Sequence, residues 1–335
     1  MFKMLIMAHS RPFGEGADHS REFLRESVRT PRSSPLRSYC YALTCSSLPM
    51  PRHALSVRGK ASPALPDTQA MTPTRNALCI RDAVKRFPAR TGPADGQANR
   101  ELTVFHGLDL DLRVGEFVSL LGPSGCGKST LINILAGQDT LDGGVIGRGE
   151  SIQDSAEFRL AVVWQQDALM PWKSARGNIE FPLAILGTPP QERKDTARAW
   201  LRAVGLGGFD DYYPSQLSQG MRQRVSLAAA LAARPNLLLM DEPFGALDAY
   251  SKLQIEKEVV RLWEEMDATI LMVTHDVQEA VALSDRIIML TGRPARVAFD
   301  RIIDLPRPRN LDEIYGAPRF HTLVSELWNA LTKPQ

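Results

Sequence analysis

Gly122-Pro-Ser-Gly-Cys-Gly-Lys-Ser129 is the segment from which the architecture of this chain can first be predicted. It fits the pattern GxxxxGK[ST], follows the apolar run Phe117–Leu121, and precedes a helix predicted over Ser129–Ala136. The glycines let backbone N–H groups turn inward around phosphate oxygens, and the helix start adds the positive end of a dipole. Lys128 would supply a charge to the β and γ phosphates, and the Ser129 hydroxyl could reach Mg²⁺. The segment therefore predicts a phosphate-binding loop between a strand and a helix.

A second segment, Leu237-Leu-Leu-Met-Asp241-Glu242, is an apolar strand that ends in two carboxylates. Because parallel strands end at the same edge of a sheet, we expect Asp241 close to the phosphate loop, where it can hold Mg²⁺ through water. Glu242 would polarise an attacking water as a general base. Most acidic pairs at strand ends are merely solvated, and only the preceding phosphate loop favours a catalytic interpretation here.

The surrounding pattern predicts an α/β fold with a largely parallel sheet. Alternating apolar and polar residues in Ala77–Phe87 and Leu102–Val114 predict antiparallel strands, and residues from about Ala168 to Ala233 look mainly helical. Downstream, strands and helices alternate over Leu237–Met240, Ser251–Met266, Thr269–Val273, Val277–Ser284 and Arg286–Leu290.

Composition excludes several other classes of function. The chain has 335 residues with a net charge of only +2, so nothing global indicates a nucleic-acid partner. No apolar run is long enough to cross a bilayer, so a role in a membrane process would require docking onto another subunit. No CxxC pair or zinc spacing occurs, which favours reduced thiols in a cytosolic protein; the cysteines are Cys40, Cys45, Cys79 and Cys126.

Residues 1–75 differ from the rest because they are rich in Arg, Ser and Pro and lack helical or strand periodicity. Three interpretations stay open: a disordered extension, a transit-like targeting peptide, or a mis-assigned start with translation beginning at Met71. The acidic residues before Arg75 weaken the second interpretation, so we favour the first or the third.

Leu217-Ser-Gln-Gly-Met221, together with Asp241-Glu242-Pro-Phe-Gly-Ala-Leu-Asp248, resembles the signature segment and D-loop of ABC ATPases. The family form of the signature is LSGGQ, and here Gln219 replaces its first glycine and Met221 its glutamine. Ser218 and Gly220, the groups that contact phosphate in the family, remain, so we expect a working motif. The resemblance extends over roughly residues 77–308, and residues 309–335 are expected to form a C-terminal helical tail.

This resemblance implies a P-loop NTPase core with an N-terminal antiparallel β subdomain and an inserted helical subdomain at about 166–235. Gln165 resembles the Q-loop glutamine, which reaches Mg²⁺ or the attacking water. His275 resembles the switch histidine that contacts the γ-phosphate. Phe87 resembles the aromatic residue that stacks on adenine, with a strand core residue as the alternative. The implied ATP-binding residues are Phe87, Gly122, Pro123, Ser124, Gly125, Cys126, Gly127, Lys128, Ser129, Thr130, Ser218, Gly220 and Asp248; the catalytic residues are Glu242, His275, Gln165 and Lys128; the Mg²⁺ ligands are Ser129, Gln165 and Asp241.

The resemblance also implies partners. In the family two ATPase domains meet head to tail, and because the chain has one phosphate loop we expect a homodimer or a pair with a similar subunit. Five segments look most like the nitrate/sulfonate/taurine import group: Gln165–Lys173, Asn178–Pro182, Gly220–Arg224, and the two parts of the tail, Gly292–Arg296 and Asp304–Arg309. An integral-membrane permease would dock near Met170 and Trp172, unless these two residues are subdomain core. A solute-binding protein would act indirectly, and the chain would lie at the cytoplasmic face of the inner membrane.

Three alternatives remain for comparison. A soluble ABC ATPase acting on nucleic acid or ribosomes usually carries two linked ATPase domains, a long coiled coil or zinc modules. A regulatory module with a dead site would lack some of Lys128, Asp241, Glu242 and His275. A P-loop kinase outside the ABC class would lack the signature segment and His275.

Overall fold

The computed structural model of the chain describes residues 7–8, 76–88, 101–148, 158–266 and 268–332. The strands among them are β1 (Met7–Ala8), β2 (Asn76–Pro88), β3 (Glu101–Arg113), β4 (Phe117–Leu121), β5 (Gly143–Arg148), β6 (Arg159–Val163), β7 (Leu237–Asp241), β8 (Thr269–Val273), β9 (Arg286–Leu290) and β10 (Val297–Ile302). The helices are α1 (Lys128–Leu135), α2 (Ala175–Ile185), α3 (Pro190–Ala203), α4 (Gln219–Ala232), α5 (Ala249–Met266), α6 (Val277–Leu283), α7 (Leu311–Ile314) and α8 (Pro318–Thr332). One 3₁₀ turn, Pro214–Gln216, precedes α4.

The main sheet has the strand order β1-β6-β7-β8-β4-β9-β10. Its five central strands are parallel, whereas β1 and β10 pair antiparallel at the two edges. Every residue of β4, β7 and β8 is buried, as expected for parallel strands covered on both faces. The predicted α/β class with a mainly parallel sheet is confirmed.

A second sheet contains β2, β3 and β5 in the order β3-β2-β5, with antiparallel pairing throughout. The pair β2–β3 follows the predicted alternation, with inward residues such as Ile80 and Leu108 buried. Strands β5 and β10 carry no such sequence signal. β5 lies at an edge, contains three glycines and is mostly exposed, and β10 is an edge strand with charged residues on it.

The two faces of the main sheet pack into separate apolar cores. Phe117 and Leu121 of β4 face the core that includes α2 to α8, and Phe117 meets the ring of Trp263 edge-on at 5.3 Å. Val118 and Leu120 face the opposite core, which includes α1 and the antiparallel sheet. The alternation of side chains along one strand thus joins three layers.

Three of the described helices begin at a side-chain cap. Ser174 accepts a hydrogen bond from the Gly177 N–H before α2, Ser218 accepts one from the Met221 N–H before α4, and Asp276 caps α6. Across the described part of the chain, no helix combines the length and apolar character that spanning a membrane requires. The extension predicted at 1–75 falls outside the described residues apart from β1, and the predicted domain boundaries remain predictions.

Candidate functional site

The carboxyl ends of β4, β7 and β8 meet at one edge of the main sheet. β8 lies between the other two strands, with Asp241 opposite Val273 in register. The N–H of Glu242 donates to the Val273 carbonyl at 2.9 Å, which holds the segments after β7 and β8 together. The phosphate loop, the paired carboxylates and the residues around His275 are thereby brought to a single edge, as parallel pairing requires.

The phosphate loop, Gly122–Ser129, connects β4 to α1. Gly127 has a φ of +117°, and a Cβ at this position would lie only 2.4 Å from Val104 Cγ1, so glycine is required for both conformation and space. The buried Lys128 donates from Nζ to the carbonyls of Gly122 at 2.8 Å and Pro123 at 3.0 Å. The lysine charge is therefore held inside the curve of the loop.

Ser129 and Asp241 come together at the start of α1. The Ser129 hydroxyl donates to Asp241 Oδ1 at 3.2 Å, and Asp241 is buried. A hydroxyl and a carboxylate side by side are oxygen groups of the kind that Mg²⁺ binds in nucleotide sites. Ser129 and Asp241, two of the three predicted ligands, therefore fit a magnesium ion by their chemistry and by their proximity.

Two residues that are distant in sequence from each other converge on the carboxylate of Glu242. Gln165 donates from Nε2 to Glu242 Oε2 at 3.1 Å, and His275 Nδ1 lies 3.4 Å from the same oxygen. Glu242 itself has a φ of +47°, a backbone conformation that residues other than glycine adopt at a cost of about 1–3 kcal/mol. Such strain at a polar cluster is typical of functional sites.

These residues surround one cleft with a volume of about 520 Å³. Its wall brings together most of the predicted phosphate-contacting and catalytic residues. They are Ser124, Gly125, Gly127, Lys128, Ser129, Thr130, Gln165, Glu242 and His275, with Arg293 in addition. Arg293 was not predicted as a site residue, although the tail segment that contains it was singled out as typical of one import group.

The other predicted binding residues lie elsewhere. Gly122, Pro123 and Cys126 belong to the phosphate loop but do not line the cleft, and the Cys126 side chain is buried behind it. The half-buried Phe87 is also absent from the lining, and its ring lies 4.8 Å from Lys85 Nζ. Its predicted contact with adenine therefore stays a prediction.

Ser218, Gly220 and Asp248 are likewise absent from the cleft lining. A Cβ on Gly220 would lie 3.3 Å from the carbonyl of Ala246 and 3.4 Å from Leu247. The signature segment and the D-loop thus pack against each other, away from the phosphate loop of the same chain.

The signature helix α4 is linked to the segment around Gln165. Arg222 donates from Nε to Asp167 Oδ2 at 2.9 Å, and Gln223 donates from Nε2 to the Trp164 carbonyl at 3.1 Å. These bonds connect the residues on both sides of Gln165 to one helix.

The loop before α2 is organised by a buried amide. Asn178 accepts from the Met170 N–H at 2.7 Å and donates from Nδ2 to the carbonyls of Met170, Lys173 and Ser174 at 3.0–3.2 Å. Met170 is only 7% exposed and belongs to the core, whereas Trp172 is 62% exposed. The two apolar residues considered for docking thus have different environments.

A buried polar network lies behind His275. Lys252 on α5 donates to Asp276 Oδ2 at 2.8 Å and lies 2.5 Å from Glu279 Oε1, while the Thr274 hydroxyl donates to Glu279 Oε2 at 2.5 Å. Burial opposes the charge of Lys252, but the hydrogen bonds to these carboxylates outweigh it and raise the pKa of Lys252 to about 12. Both residues that flank His275 are held in this network.

Glu256, a buried carboxylate on α5, lies near the charges of this network and contacts the C-terminal segment. The hydroxyl of Tyr315 donates to Glu256 Oε2 at 3.0 Å, and Glu256 Oε1 has no hydrogen-bond partner in the described part of the chain. Burial first, and then the nearby charge of Glu279, raise the pKa of Glu256 from 4.5 to about 7. Neither Glu256 nor Lys252 was singled out from the sequence, where both look like residues of a solvated helix face.

Fold and cleft together define a nucleotide-binding domain of the phosphate-loop class with a helical insertion. A family model described as ABC transporter matches residues 105–245. The chain is 41% identical over 254 residues to the bicarbonate transport ATP-binding protein CmpC of Synechococcus elongatus, covering 75% of this chain and 37% of CmpC. It is 40% identical over 261 residues to the aliphatic sulfonates import ATP-binding protein SsuB of Ralstonia nicotianae, covering 78% of this chain and 84% of SsuB.

Among solved structures, the chain resembles a dimeric, post-hydrolysis state of the ATP-binding cassette MJ0796 bound to ADP and phosphate. The TM-score is 0.58 at 29% sequence identity, with 68% of this chain and 100% of that chain covered. The chain belongs to the family of ABC transporter ATP-binding proteins, which confirms the resemblance noted from its motifs. It spans little more than a third of the length of CmpC.

Proposed function

We propose that this chain hydrolyses ATP as one subunit of a dimeric importer motor that drives uptake of a small anion through a separate membrane permease. The observation that carries the proposal is the convergence of Gln165 and His275 on the carboxylate of Glu242 beside the phosphate loop. These groups have the types and positions that hydrolysis of a bound nucleotide requires.

Each side chain has a separate task in this proposal. Lys128 and the N–H groups of the loop bind the phosphates, and Gln165 orients a water molecule. Glu242 accepts a proton from that water while the water oxygen attacks the γ-phosphorus. The bond between this phosphorus and the departing ADP oxygen breaks. His275 contacts the γ-phosphate beside this base.

We further propose Ser129 and Asp241 as ligands of Mg²⁺, with Gln165 reaching the ion or the attacking water. When bound, the ion supplies positive charge that neutralises the phosphate oxygens. The adjacency of the Ser129 hydroxyl and the Asp241 carboxylate supports this assignment.

Ser218, Gly220 and Asp248 belong to the site only if a second subunit presents them. Their absence from the cleft of their own chain supports a composite site between two copies, and the match to a dimeric cassette agrees with it. Ser218 caps the N-terminus of α4, and this N-terminus would face a phosphate of the nucleotide bound by the opposite subunit.

The permease would contact the exposed ring of Trp172, while the buried Met170 would belong to the core. The bonds from α4 to Asp167 and Trp164 would carry movement from the site to this surface. The names of CmpC and SsuB, which refer to bicarbonate and aliphatic sulfonates, support an anionic solute. Such a subunit would lie on the cytoplasmic side of the membrane, and its co-purification with a permease and a solute-binding protein would test the partners.

Replacing Glu242 with glutamine tests the catalytic core of the proposal. Glu242→Gln keeps the shape of the side chain but cannot take a proton, so we expect MgATP to bind normally and turnover to fall by at least about 100-fold. The closed dimer should accumulate in size-exclusion chromatography with ATP. Glu192→Gln, an exposed glutamate on α3, is the matched control and should hydrolyse normally. Unchanged turnover in Glu242→Gln would refute the general-base assignment.

A further inference from the structure

Arg293 lies on the loop between β9 and β10 and reaches the phosphate loop from outside. Its Nε donates a hydrogen bond to the carbonyl of Gly125, and its side chain forms part of the cleft wall. To the described residues Arg293 makes no other hydrogen bond or ion pair, although its guanidinium has further N–H donors. An exposed arginine would gain little stability from this contact alone. The contact matters instead for the conformation of the phosphate loop.

The loop that carries Arg293 is fixed in place on both sides. The N–H of Thr291 donates to the Arg296 carbonyl at 2.9 Å, and the Arg296 N–H donates to the Thr291 hydroxyl at 2.9 Å. The buried Ala295 donates from its N–H to the Val104 carbonyl at 2.7 Å. Val104 is also the residue against which Gly127 of the phosphate loop packs. Arg293 and the phosphate loop therefore rest on the same strand, β3.

The contact requires a glycine at position 125. Gly125 has a φ of +78°, and a Cβ there would lie 2.7 Å from Arg293 Nη2. The guanidinium thus lies directly against the backbone of the loop. Because the Gly125–Cys126 peptide is planar, a donor that holds its carbonyl on the outer side also fixes the direction of the Cys126 N–H, which donates to the Pro123 carbonyl at 3.3 Å and closes a turn of the loop. A cationic donor on the carbonyl also polarises the peptide, which strengthens its N–H as a donor.

We propose that Arg293 is a positioning residue for nucleotide binding, which holds the Gly125–Cys126 peptide in the orientation that closes the Pro123–Cys126 turn and so fixes the curvature of the phosphate loop. It acts through the loop rather than on the reacting atoms. The assignment rests on the proposed binding of ATP at this cleft. It gives a role to the Gly292–Arg296 segment, which neither the phosphate loop nor the catalytic residues explain.

Removing the donor should weaken nucleotide affinity without slowing the chemical step. For Arg293→Met in the full chain, we expect the Kd of MgADP, measured by isothermal titration calorimetry, and the KM for ATP to rise about tenfold. The kcat at saturating ATP should change less than twofold, because Glu242, Gln165 and His275 are untouched. Arg293→Lys keeps a cationic donor and should recover at least half of the lost affinity on a logarithmic scale.

Arg296→Met is the matched control, because Arg296 is exposed on the same loop and, within the described part of the chain, its side chain neither bonds to the phosphate loop nor lines the cleft. It removes the same charge and should leave the Kd unchanged. The proposal is overturned if Arg293→Met binds MgADP as tightly as the parent, if Arg296→Met weakens binding equally, or if Arg293→Lys recovers nothing. Nucleotide-free melting temperatures of all three variants should equal that of the parent, and a large drop for Arg293→Met alone would show a structural role instead. Failure of the parent chain to bind or hydrolyse ATP would refute the proposed function rather than this assignment.

Discussion

The carboxyl edge of the main sheet and the helical segment α2 to α4 contribute to the candidate site in different ways. At the sheet edge, Lys128, Ser129, Asp241 and Glu242 lie together within one chain, supported by fully buried parallel strands. The helical segment carries Ser218 and Gly220, which lie outside that cleft. The sheet edge therefore carries its proposed phosphate-binding groups within one chain, whereas the proposed role of the helical segment needs a second copy.

The largest expected effect comes from mixing two inactive variants, one altered at the sheet edge and the other altered in the helical segment. Lys128→Ala removes the buried charge of the phosphate loop, and Ser218→Arg blocks the signature helix of the other half. Each variant alone should lose at least about 100-fold in ATPase activity, although Ser218→Arg should still bind ATP. In an equal mixture, half of the dimers contain one intact composite site, so activity should return to about a quarter of the parent value.

A mixture of Lys128→Ala with Glu242→Gln is the matched control for this experiment. Both changes lie on the sheet edge, so no combination of the two chains contains an intact edge facing an intact signature segment. No activity should return in this mixture, measured as phosphate release at the same total protein concentration. Normal hydrolysis by Ser218→Arg alone would show that each copy holds a whole site and would remove the distinction between the two regions.

The sheet edge was largely predictable from sequence and its surroundings were not. The loop at Lys128 and the acids after β7 follow from a local pattern and an apolar run, which fix their place at the end of buried strands. The convergence of Gln165 and His275 on one oxygen depends on tertiary pairing. Arg293 binds a backbone carbonyl, so no partner residue type signals its role.

The buried Glu256 was unpredictable for a related reason. It lies four residues after Lys252 on an amphipathic helix, a spacing typical of exposed ion pairs. In the structure Lys252 instead turns to Asp276 and Glu279, and the C-terminal segment covers Glu256 through Tyr315. Packing by a segment distant in sequence thus converts a surface pattern into a buried one.

A smaller effect, on the stability of the protein, concerns the buried polar side chains that support the two regions. The helical segment is organised by the neutral amide of Asn178, whereas the sheet edge is backed by Glu256, whose pKa is raised to about 7. Because the folded state favours the protonated carboxyl, its stability falls as the pH rises from about 4.5 to about 7 and stays lowered above that. Glu256→Gln imitates the protonated form, so it should stabilise the protein by up to about 3 kcal/mol above pH 7 and by much less near pH 5.

Chemical unfolding of the parent and Glu256→Gln at several pH values measures this difference. Glu265→Gln is the control, since Glu265 lies exposed on the same helix and its replacement should give no gain that grows with pH. A stabilisation by Glu256→Gln that is equal at pH 5 and pH 8 would contradict a protonation effect. In that case the charge of the Glu256 carboxyl would not matter for stability, and Glu256 would support the sheet edge in the same way as the neutral Asn178 amide supports the helical segment.

The smallest effect concerns the link between the two regions. Arg222 of the signature helix pairs with Asp167, two residues after Gln165, at 2.9 Å in a partly exposed setting. Asp167→Asn keeps a hydrogen-bond acceptor but removes the charge, so about 1 kcal/mol or less should be lost. If the pair couples Gln165 to the signature helix, kcat should fall about two- to fivefold while the KM for ATP stays unchanged. Asp211→Asn breaks another ion pair of the helical segment, with Arg176, and should leave both constants unchanged. A rise in the KM for ATP with constant kcat for Asp167→Asn would contradict this link and would instead assign Asp167 to the phosphate-binding surface. A residue that only links the sheet edge to the helical segment should not alter the binding of ATP to the sheet edge.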